Sequence, residues 1–530
     1  MSLLTLNCDA LQHLCTFVHG RDALNLALTC RTLHNVAISR VPVYIHCRTP
    51  SHLCKLWNLI TTATEQALRI RSLTIDASAF EIGNVPFRHR VCADYCEFVG
   101  DLLGSVRNLT HLRVDLSVIL SQDRRMGCSI ASMTNLVHLE LNQFPHEATE
   151  VLRELQSPVK SLHVDFRDTY IPLPSAEEFF TAVLGLKSLQ ALSIVSSKPW
   201  GHIHLPPPLP PHALLRCLVY CVPLSVPDCI VGLCSRLDTL ALCSSNASVS
   251  AWLSEAPIPP LRHVVVTLGN LHLLVRLGSL TRARYIHVYQ EQPVTPGSEE
   301  LARLAHCLQV VQPLGLHFCI SLRTRFSPSS CLGSETVPRL RCLGIGVLPD
   351  LDPSILAKDR CASFVEWLEV IPSCIVHFSL ICLRLYIPTL TRNLCPFEKR
   401  TLSIPGEDGE IDPTNAAKLE AAALALRDVV RSLPQRLAEA NIRLRYIALS
   451  IGHPTSMENC RDEIYDCHDT PALEWWWRVG DQDEGGSKVL TPITRAEGLR
   501  VWCAILDAED DAALADIIRE FVDLDRGPQH

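Results

Sequence analysis

Metal-ligating side chains are numerous in this sequence, but few of them are spaced for chemistry. His202 and His204 flank a single residue and would project from the same face of a strand, and Cys460 lies near Cys467 and His468. Neither group supplies the four nitrogen or sulfur ligands that a structural zinc site requires. We therefore interpret both groups as structural and predict no metal and no cofactor.

Sequence motifs that mark nucleotide-binding and hydrolytic enzymes are also missing. The chain contains no G-x-x-x-x-G-K-[ST] loop, no G-x-G-x-x-G turn, no G-x-S-x-G elbow and no H-E-x-x-H pair. Catalytic groups can converge from distant positions, so an enzyme with an unrecognised site stays open as a third alternative. We expect a protein that is not an enzyme.

Composition narrows the class of protein and of partner. Hydrophobic residues make up 47% of the 530 residues, so the chain has ample apolar surface to bury in a fold. The net charge is −8, and without a basic excess to neutralise phosphates, nucleic acid is not an expected partner. The first residues lack the basic and apolar regions of a signal peptide. We therefore expect the 24 cysteines to be reduced core thiols of a cytoplasmic or nuclear protein.

One apolar stretch could be mistaken for a membrane span. It covers the 18 residues 370–387 and includes Pro372, His377 and Arg384. A spanning helix needs about 20 predominantly apolar residues. We predict a buried strand with its flanks at this position, and no contact with a membrane.

A short apolar pattern recurs along most of the chain. Each copy of the pattern is six residues long and has apolar side chains at its first, fourth and sixth positions, as in Leu109–Val114. Clear copies begin at Ile70, Leu109, Leu136, Val159, Leu189, Leu215, Leu237, Leu261, Leu340 and Leu444, and weaker copies begin at Ala283, Val311 and Ile375. From Leu109 to Val311 the intervals are 27, 23, 30, 26, 22, 24, 22 and 28 residues. Leucine-rich repeats have units of about 20–29 residues.

The pattern has a simple physical interpretation. Side chains alternate between the two faces of a strand, so the fourth and sixth positions share a buried face. Helical spacing in the segments 148–155 and 177–186 supplies returning segments between strands. In this pattern the chain resembles leucine-rich-repeat proteins. The resemblance implies an α/β fold, an irregular horseshoe solenoid in which each unit buries its apolar side against its neighbours.

A proline-rich insert separates two of the units. Leu205–His212 has the sequence LPPPLPPH, which favours an extended polyproline conformation. We interpret it as a stiff connector between repeats, and a ligand for an SH3-like domain is the alternative.

The first 40 residues do not carry the repeat. Apolar residues at helical spacing, interrupted at Gly20, predict three short helices. Their pattern resembles the F-box family at Leu6, Leu11, Leu14, Phe17, Leu24, Leu28, Cys30, Arg31 and Leu33. The resemblance implies that these residues bind a Skp-type adaptor and, through it, the cullin of a ubiquitin ligase. Asn7 and Leu33 occupy positions where the family usually has proline and tryptophan. A helical cap on the first repeat is the alternative.

The third, fifth and seventh positions of each copy would line the concave side of a horseshoe. In the later units this side carries tyrosine, which is common at the hot spots of protein interfaces. We predict a substrate-binding surface formed by His263, Tyr285, His287 and Tyr289. A solvated face without a partner is the alternative.

The C-terminal part differs from the repeats in composition. Trp475, Trp476 and Trp477 follow one another, and helices are predicted near 496–506 and 512–522. We divide the chain into an F-box-like module at 1–40, a connector or first cap at 41–65, a solenoid at 66–455 and a mostly helical C-terminal cap at 456–530.

Taken together, these features indicate a substrate-recognition subunit of a Skp–cullin–F-box-type ubiquitin ligase. The N-terminal helices would bind the ligase, and the repeats would bind an unknown protein substrate. The alternative is a leucine-rich-repeat scaffold for protein–protein interaction without a link to a ligase.

Overall fold

The computed structural model of the protein describes residues 10–11, 13, 25–37, 43–62, 69–80, 93–115, 124–166, 174–196, 214–221, 236–242, 260–267, 271, 275, 280, 283–289, 299–321, 335–348, 357–387, 428–451, 473–482, 486–508 and 511–523. The chain divides into two compact units, Met1–Leu237 (unit 1) and Asp238–His530 (unit 2).

Unit 1 contains a parallel sheet whose strands follow one another in chain order. In the described residues these strands are Val43–Cys47 (β1), Ile70–Ile75 (β2), His111–Asp115 (β3), His138–Asn142 (β4), Ser161–Asp165 (β5), Ala191–Val195 (β6) and Cys217–Cys221 (β7). Every neighbouring pair is parallel. Parallel neighbours require a returning segment after each strand, as the repeat interpretation predicts.

The returning segments of unit 1 are mostly helical. The described helices are Arg31–Ala37 (α1), Pro50–Thr62 (α2), Ala93–Ser105 (α3), Arg124–Ala131 (α4), Ala148–Glu154 (α5) and Ala176–Leu184 (α6), with a 3-10 turn at Ala77–Phe80. The helices α5 and α6 confirm the two predicted from helical spacing. Ser175 begins α6 as its N-cap and accepts a hydrogen bond from the backbone N–H of Glu178.

The register of the sheet aligns the apolar pattern from strand to strand. Leu112 on β3 pairs with Leu139 on β4, which pairs with Leu162 on β5. The first, fourth and sixth positions of the copies beginning at 70 to 215 are all buried. The carbonyl of Thr110, a second-position residue, accepts N–H bonds from Val137 and His138 at 2.8 and 3.0 Å. The predicted strands of unit 1 are confirmed, and with them the α/β class.

The first strand was missed by the sequence prediction, which assigned residues 41–65 to a connector or cap. Ile45 and Cys47 pair with Leu73 and Ile75 on β2, so β1 takes the fourth and sixth positions of a further copy. A cysteine at the sixth position and a register shift between Val43 and Tyr44 hide the pattern.

In unit 2 the strands again follow one another in chain order and are parallel except at the C-terminal end. Its described strands are Thr239–Leu242 (β8), His263–Thr267 (β9), Tyr285–Tyr289 (β10), Gly315–Ser321 (β11), Cys342–Leu348 (β12), Cys382–Ile387 (β13), Tyr446–Ile451 (β14), Leu473–Gln482 (β15) and Lys488–Ile493 (β16). The strands β14, β15 and β16 pair antiparallel, and the earlier neighbours pair parallel. Its described helices are Glu299–Val311 (α7), Ala357–Ile375 (α8), 428–440 (α9), Arg495–Asp507 (α10) and Asp511–Asp523 (α11).

Two of the weaker predicted copies are displaced. Val311 and Ile375 are the last residues of α7 and α8, not the first positions of repeats. The register pairs Gly315 with Tyr285 and Cys382 with Cys342, which places the true copies at 313 and 380. The predicted buried strand at 370–387 is accordingly limited to β13, and its first residues belong to α8. Apolar residues on the last turn of a helix imitate the repeat pattern because they also face the core.

The C-terminal part contains more than helices. The predicted helices near 496–506 and 512–522 are confirmed as α10 and α11, but the three tryptophans lie on β15, which was not predicted. The hairpin of β15 and β16 extends the sheet of unit 2 beyond β14.

Several predictions fall on residues outside the described ranges. These are the proline-rich segment Leu205–His212, the pair His202 and His204, and the group Cys460, Cys467 and His468. Within the described ranges, no helix combines the length and apolarity needed to cross a membrane. The predicted domain boundaries stay predictions.

Candidate recognition surfaces

The described part of the N-terminal segment has a small core of its own. Leu11, Ala27, Leu33, Val36 and Ala37 form a buried cluster. The side chains of Leu26 and Cys30 pack against this cluster while remaining partly exposed. Two of the residues predicted to bind the adaptor, Leu11 and Leu33, therefore stabilise the segment from within.

Two other predicted adaptor-binding residues lie on the surface. Leu28 is 71% exposed and lies outside the buried cluster. Arg31, the first residue of α1, is also exposed. Leu6, Leu14, Phe17 and Leu24, which were also predicted to bind the adaptor, lie outside the described residues.

The side chains at the third and fifth positions of the copies lie on the opposite face of the strands from those at the fourth and sixth positions. This face is called here the 3/5 face. In unit 1 this face is accessible on β1, β3 and β4, whereas Ser72 on β2 is buried and Thr74 is half-buried. Tyr44 is 65% exposed, His111 and Arg113 are exposed, and His138 and Glu140 are half-buried. From β5 to β7 the same face is buried, as at Ser193 on β6.

Polar contacts hold the accessible part of this face in place. His46 Nδ1 accepts a hydrogen bond from Arg48 Nε at 3.2 Å, so His46 Nε2 carries the hydrogen that it donates to Asp76 at 2.7 Å. The rings of His111 and His138 stack with centroids 4.3 Å apart. The first group lies on β1 and just after β1 and β2, and the stacked histidines lie on β3 and β4.

The ion pair between Arg113 and Glu140 on this face is weak. Arg113 Nε lies 3.7 Å from Glu140 Oε2, and the arginine side chain is 45% exposed. Exposed pairs contribute little to stability because water screens the attraction. Arg113 and Glu140 are therefore able to exchange this contact for one with a partner at small energetic cost.

In unit 2 the predicted substrate-binding residues have a different environment. Tyr285 and His287 are buried, and His263 is half-buried with its ring edge-on to Tyr285 at 6.3 Å. The side chain of Tyr289 lies outside the described set. Burial lowers the pKa of His263, although the nearby carboxylate of Asp507 acts in the opposite direction.

The helix α10 lies over the 3/5 face of unit 2. Its buried residues follow helical spacing and are Gly498, Val501, Trp502, Ile505 and Leu506. They share a buried cluster with sheet residues Tyr285, Cys342, Ile381, Cys382, Tyr446, Ala448 and Trp476. The rings of Trp502 and Tyr285 meet edge to face at 6.3 Å. Of the residues predicted to bind a substrate, Tyr285 is thus covered by the C-terminal part of the same chain.

A stack of rings extends across the same face. The ring of His317 lies 4.0 Å from that of His287 and 4.7 Å from that of Tyr386. The intervening strand carries Gly344, where a methyl group would come within 3.0 Å of the His317 ring. The guanidinium of Arg384 lies 4.7 Å above the Tyr386 ring. Burial lowers the pKa of His317 far below its ordinary value, and the proximity of His287 and Arg384 lowers it further.

A group of three charges, two of them buried, links β13, β15 and α10. Glu474 is completely buried and accepts hydrogen bonds from Arg384 Nε at 2.8 Å and from Arg495 Nε at 2.7 Å. Burial alone would raise the pKa of Glu474, but the positive charges of Arg384 and Arg495 outweigh it and the pKa is lowered. The carboxylate is therefore ionised near neutral pH.

These three charged residues were not singled out from the sequence. Arg384 precedes Glu474 by 90 positions, and no local pattern relates the two. The only signal near this site is the sequence Thr494-Arg-Ala-Glu497, a capping box. The side chain of Thr494 accepts a hydrogen bond from the backbone N–H of Glu497 and begins α10.

Comparisons with known proteins add no assignment. No protein-family model matches the chain, and no curated protein matches it. Among the described residues, no group of three histidine, cysteine or acidic side chains is placed to hold a metal ion.

Proposed function

We propose that the protein is a recognition adaptor of a Skp–cullin–F-box-type ubiquitin ligase. Its N-terminal helices bind a Skp-type adaptor, and its repeated strands bind a protein substrate. The chain catalyses nothing itself. It raises the effective concentration of the substrate near the transferring enzyme, which can increase the apparent affinity without any new contact. A cytoplasmic or nuclear location goes with this role.

The observation that carries the adaptor-binding part of the proposal is the difference in exposure among the apolar residues of the N-terminal segment. Leu11 and Leu33 belong to the core of the segment, whereas Leu28 is 71% exposed and Arg31 is exposed as well. Transfer of one leucine side chain from water to an apolar interface contributes about 1.5–3 kcal/mol. An exposed leucine is therefore a suitable anchor for a partner protein.

The substrate half is supported by the accessible 3/5 face of unit 1. Tyr44, the stacked pair His111 and His138, and the weakly held pair Arg113 and Glu140 combine an aromatic anchor with exchangeable polar contacts. Such mixtures are typical of protein interfaces. Substrate binding at His263, Tyr285, His287 and Tyr289 stays a prediction, since two of these side chains are buried in this conformation.

Co-purification of the full chain with a Skp-type adaptor tests the proposal. We expect the wild-type chain to bind the adaptor and Leu28→Asp to reduce the affinity at least about tenfold, the equivalent of 1.4 kcal/mol. The circular dichroism spectrum and melting temperature should not change, because Leu28 is outside the core cluster.

A control variant distinguishes the effect of the added negative charge from the effect of losing the leucine side chain. Asn25 is exposed in the same helical segment, so Asn25→Asp introduces the same charge without removing an apolar side chain. This variant should bind like the wild type. If the wild-type chain does not bind any Skp-type adaptor, the ligase role is wrong and the N-terminal segment acts only as a cap.

The burial of Leu11 and Leu33 also favours the second candidate, a repeat scaffold without a ligase. In that case the N-terminal helices shield the apolar edge of the first strand, as caps of solenoids do. The same co-purification distinguishes the two, since a pure cap retains Leu28 on the surface without binding the adaptor.

A further inference from the structure

The 3/5 face of unit 2 already has an occupant in this chain. The apolar stripe of α10 lies on the third-position residues of four strands, Tyr285, Cys342, Cys382 and Tyr446. Solenoids of stacked repeats bind their partners on an extended strand surface, so α10 lies where a partner would otherwise bind.

Two glycines show how closely the helix and the sheet approach one another. A methyl group at Gly315 on β11 would overlap the side chains of Leu506 and Tyr285. A methyl group at Gly498 on α10 would overlap the ring of Trp476. Contacts of this closeness leave no space for another side chain, which is the packing of a protein interior.

Both ends of the helix are held by specific hydrogen bonds. At the first turn, Arg495 donates to the buried carboxylate of Glu474. At the last turn, Arg284 Nη1 donates to the backbone carbonyl of Asp507 at 2.6 Å. Release of α10 would expose an apolar cluster and would leave the buried Glu474 without one of its two cations.

We infer that α10 belongs permanently to the folded core of unit 2. The helix thereby closes the 3/5 face of β10 to β14 to partner proteins. The helix does not open separately from the sheet beneath it. Partner recognition by this chain, which is the proposed function, then has to use other surfaces. The test of α10 concerns only the chain itself, so its failure and the failure of the adaptor experiment can be told apart.

The cysteines of unit 2 supply the probes for this test. Cys342 and Cys382 are buried beneath α10, whereas Cys307 on α7 and Cys374 on α8 are buried outside that cluster. Cys503 is exposed on α10 itself. The native full-length chain is incubated with excess N-ethylmaleimide, and the labelling of each cysteine is followed over time by peptide mass spectrometry.

We expect Cys503 to be labelled at once and Cys342 and Cys382 to be labelled no more than threefold faster than Cys307 and Cys374. Equal rates mean that all four thiols become accessible only when the unit unfolds. Labelling of Cys342 and Cys382 at least tenfold faster than the other two would show that α10 opens on its own, and would overturn the inference.

A matched pair of variants verifies the assay. Leu506→Asp places a charge against Gly315 and Tyr285, and Ala496→Asp places the same charge at an exposed position of α10. Ala496→Asp should label like the wild type. If α10 belongs to the core, Leu506→Asp increases the labelling rates of all four buried cysteines together, by at least tenfold. Selective acceleration of Cys342 and Cys382 would instead identify a separable cover and contradict the inference.

Discussion

Glu474 is a residue at which burial and charge act in opposite directions. Its carboxylate is removed from water, which disfavours the ionised form, yet two guanidinium groups bind it directly. Buried ion pairs of this kind are expensive to break, because removal of one partner leaves an uncompensated charge in the interior. The stability of the C-terminal part of unit 2 therefore depends on this single carboxylate.

Glu474→Gln should destabilise the protein by about 3 kcal/mol, because Arg384 loses its anion while remaining buried. Urea unfolding monitored by tryptophan fluorescence measures the loss. Asp516→Asn is the control, since Asp516 forms an exposed pair with Arg519 and its removal should change stability by less than about 0.5 kcal/mol. Equal effects of the two variants would refute the role given to Glu474.

His317 makes the stability of unit 2 depend on pH. Its pKa in the folded chain is lowered far below the ordinary value by burial, with smaller contributions from His287 and Arg384. The folded chain therefore keeps His317 neutral, whereas the unfolded chain binds a proton below about pH 6.5. The stability is fully present above that pH and is lost as the pH falls below it.

We expect the free energy of unfolding to fall between pH 7.5 and 5.5, with a slope of up to about 1.4 kcal/mol per pH unit from this histidine. His317→Gln should show a smaller fall over the same interval, measured by urea unfolding at both pH values. His377→Gln, at an exposed position, should retain the wild-type fall. An unchanged fall in His317→Gln would show that this histidine is not responsible.

Within each strand, the alternation of side chains determines which residues pack in the core and which lie on the 3/5 face. On β3, Leu112 points into the core while the adjacent Arg113 points to the accessible 3/5 face of unit 1. The same alternation holds on β4, where Leu139 and Leu141 are buried and the intervening Glu140 is half-buried. One strand thus carries both a buried face and an accessible face.

Leu112→Ala should cost about 2–5 kcal/mol, because a buried leucine leaves a cavity between neighbouring repeats. Arg113→Ala should cost less than about 1 kcal/mol, since it removes only a weak exposed ion pair. Thermal unfolding of both variants provides the comparison. Similar losses would mean that the two faces of β3 are not distinguished as described.

The helices explain where the strand predictions failed. Val311 and Ile375 end helices whose apolar side also faces the core, so their spacing imitates a repeat. The true copies begin at 313 and 380, and backbone hydrogen bonds identify them. Leu314 and Ile381, at the second positions, accept N–H bonds from the following strands, as the second-position residues of unit 1 do.

At the scale of the whole molecule, the two units use the same strand pattern with different results. The 3/5 face of unit 1 is accessible on β1, β3 and β4, and the third positions of this face in unit 2 are covered by α10. The repeat pattern alone does not predict this covering, because the third and fifth positions vary freely in residue type. In unit 2 the cover comes from the C-terminal part of the chain.

The recurring apolar pattern was enough to predict the strands and the α/β class, because alternating apolar positions favour strands that bury one face. The covering of third positions by α10, the ring stack and the charges around Glu474 were visible only in the folded chain. Arg384 and Glu474 are separated by 90 positions, and contacts between distant positions leave no periodic trace in the chain. The third-position residues of β10, β12, β13 and β14 are therefore buried by a helix that follows them by many positions in the chain.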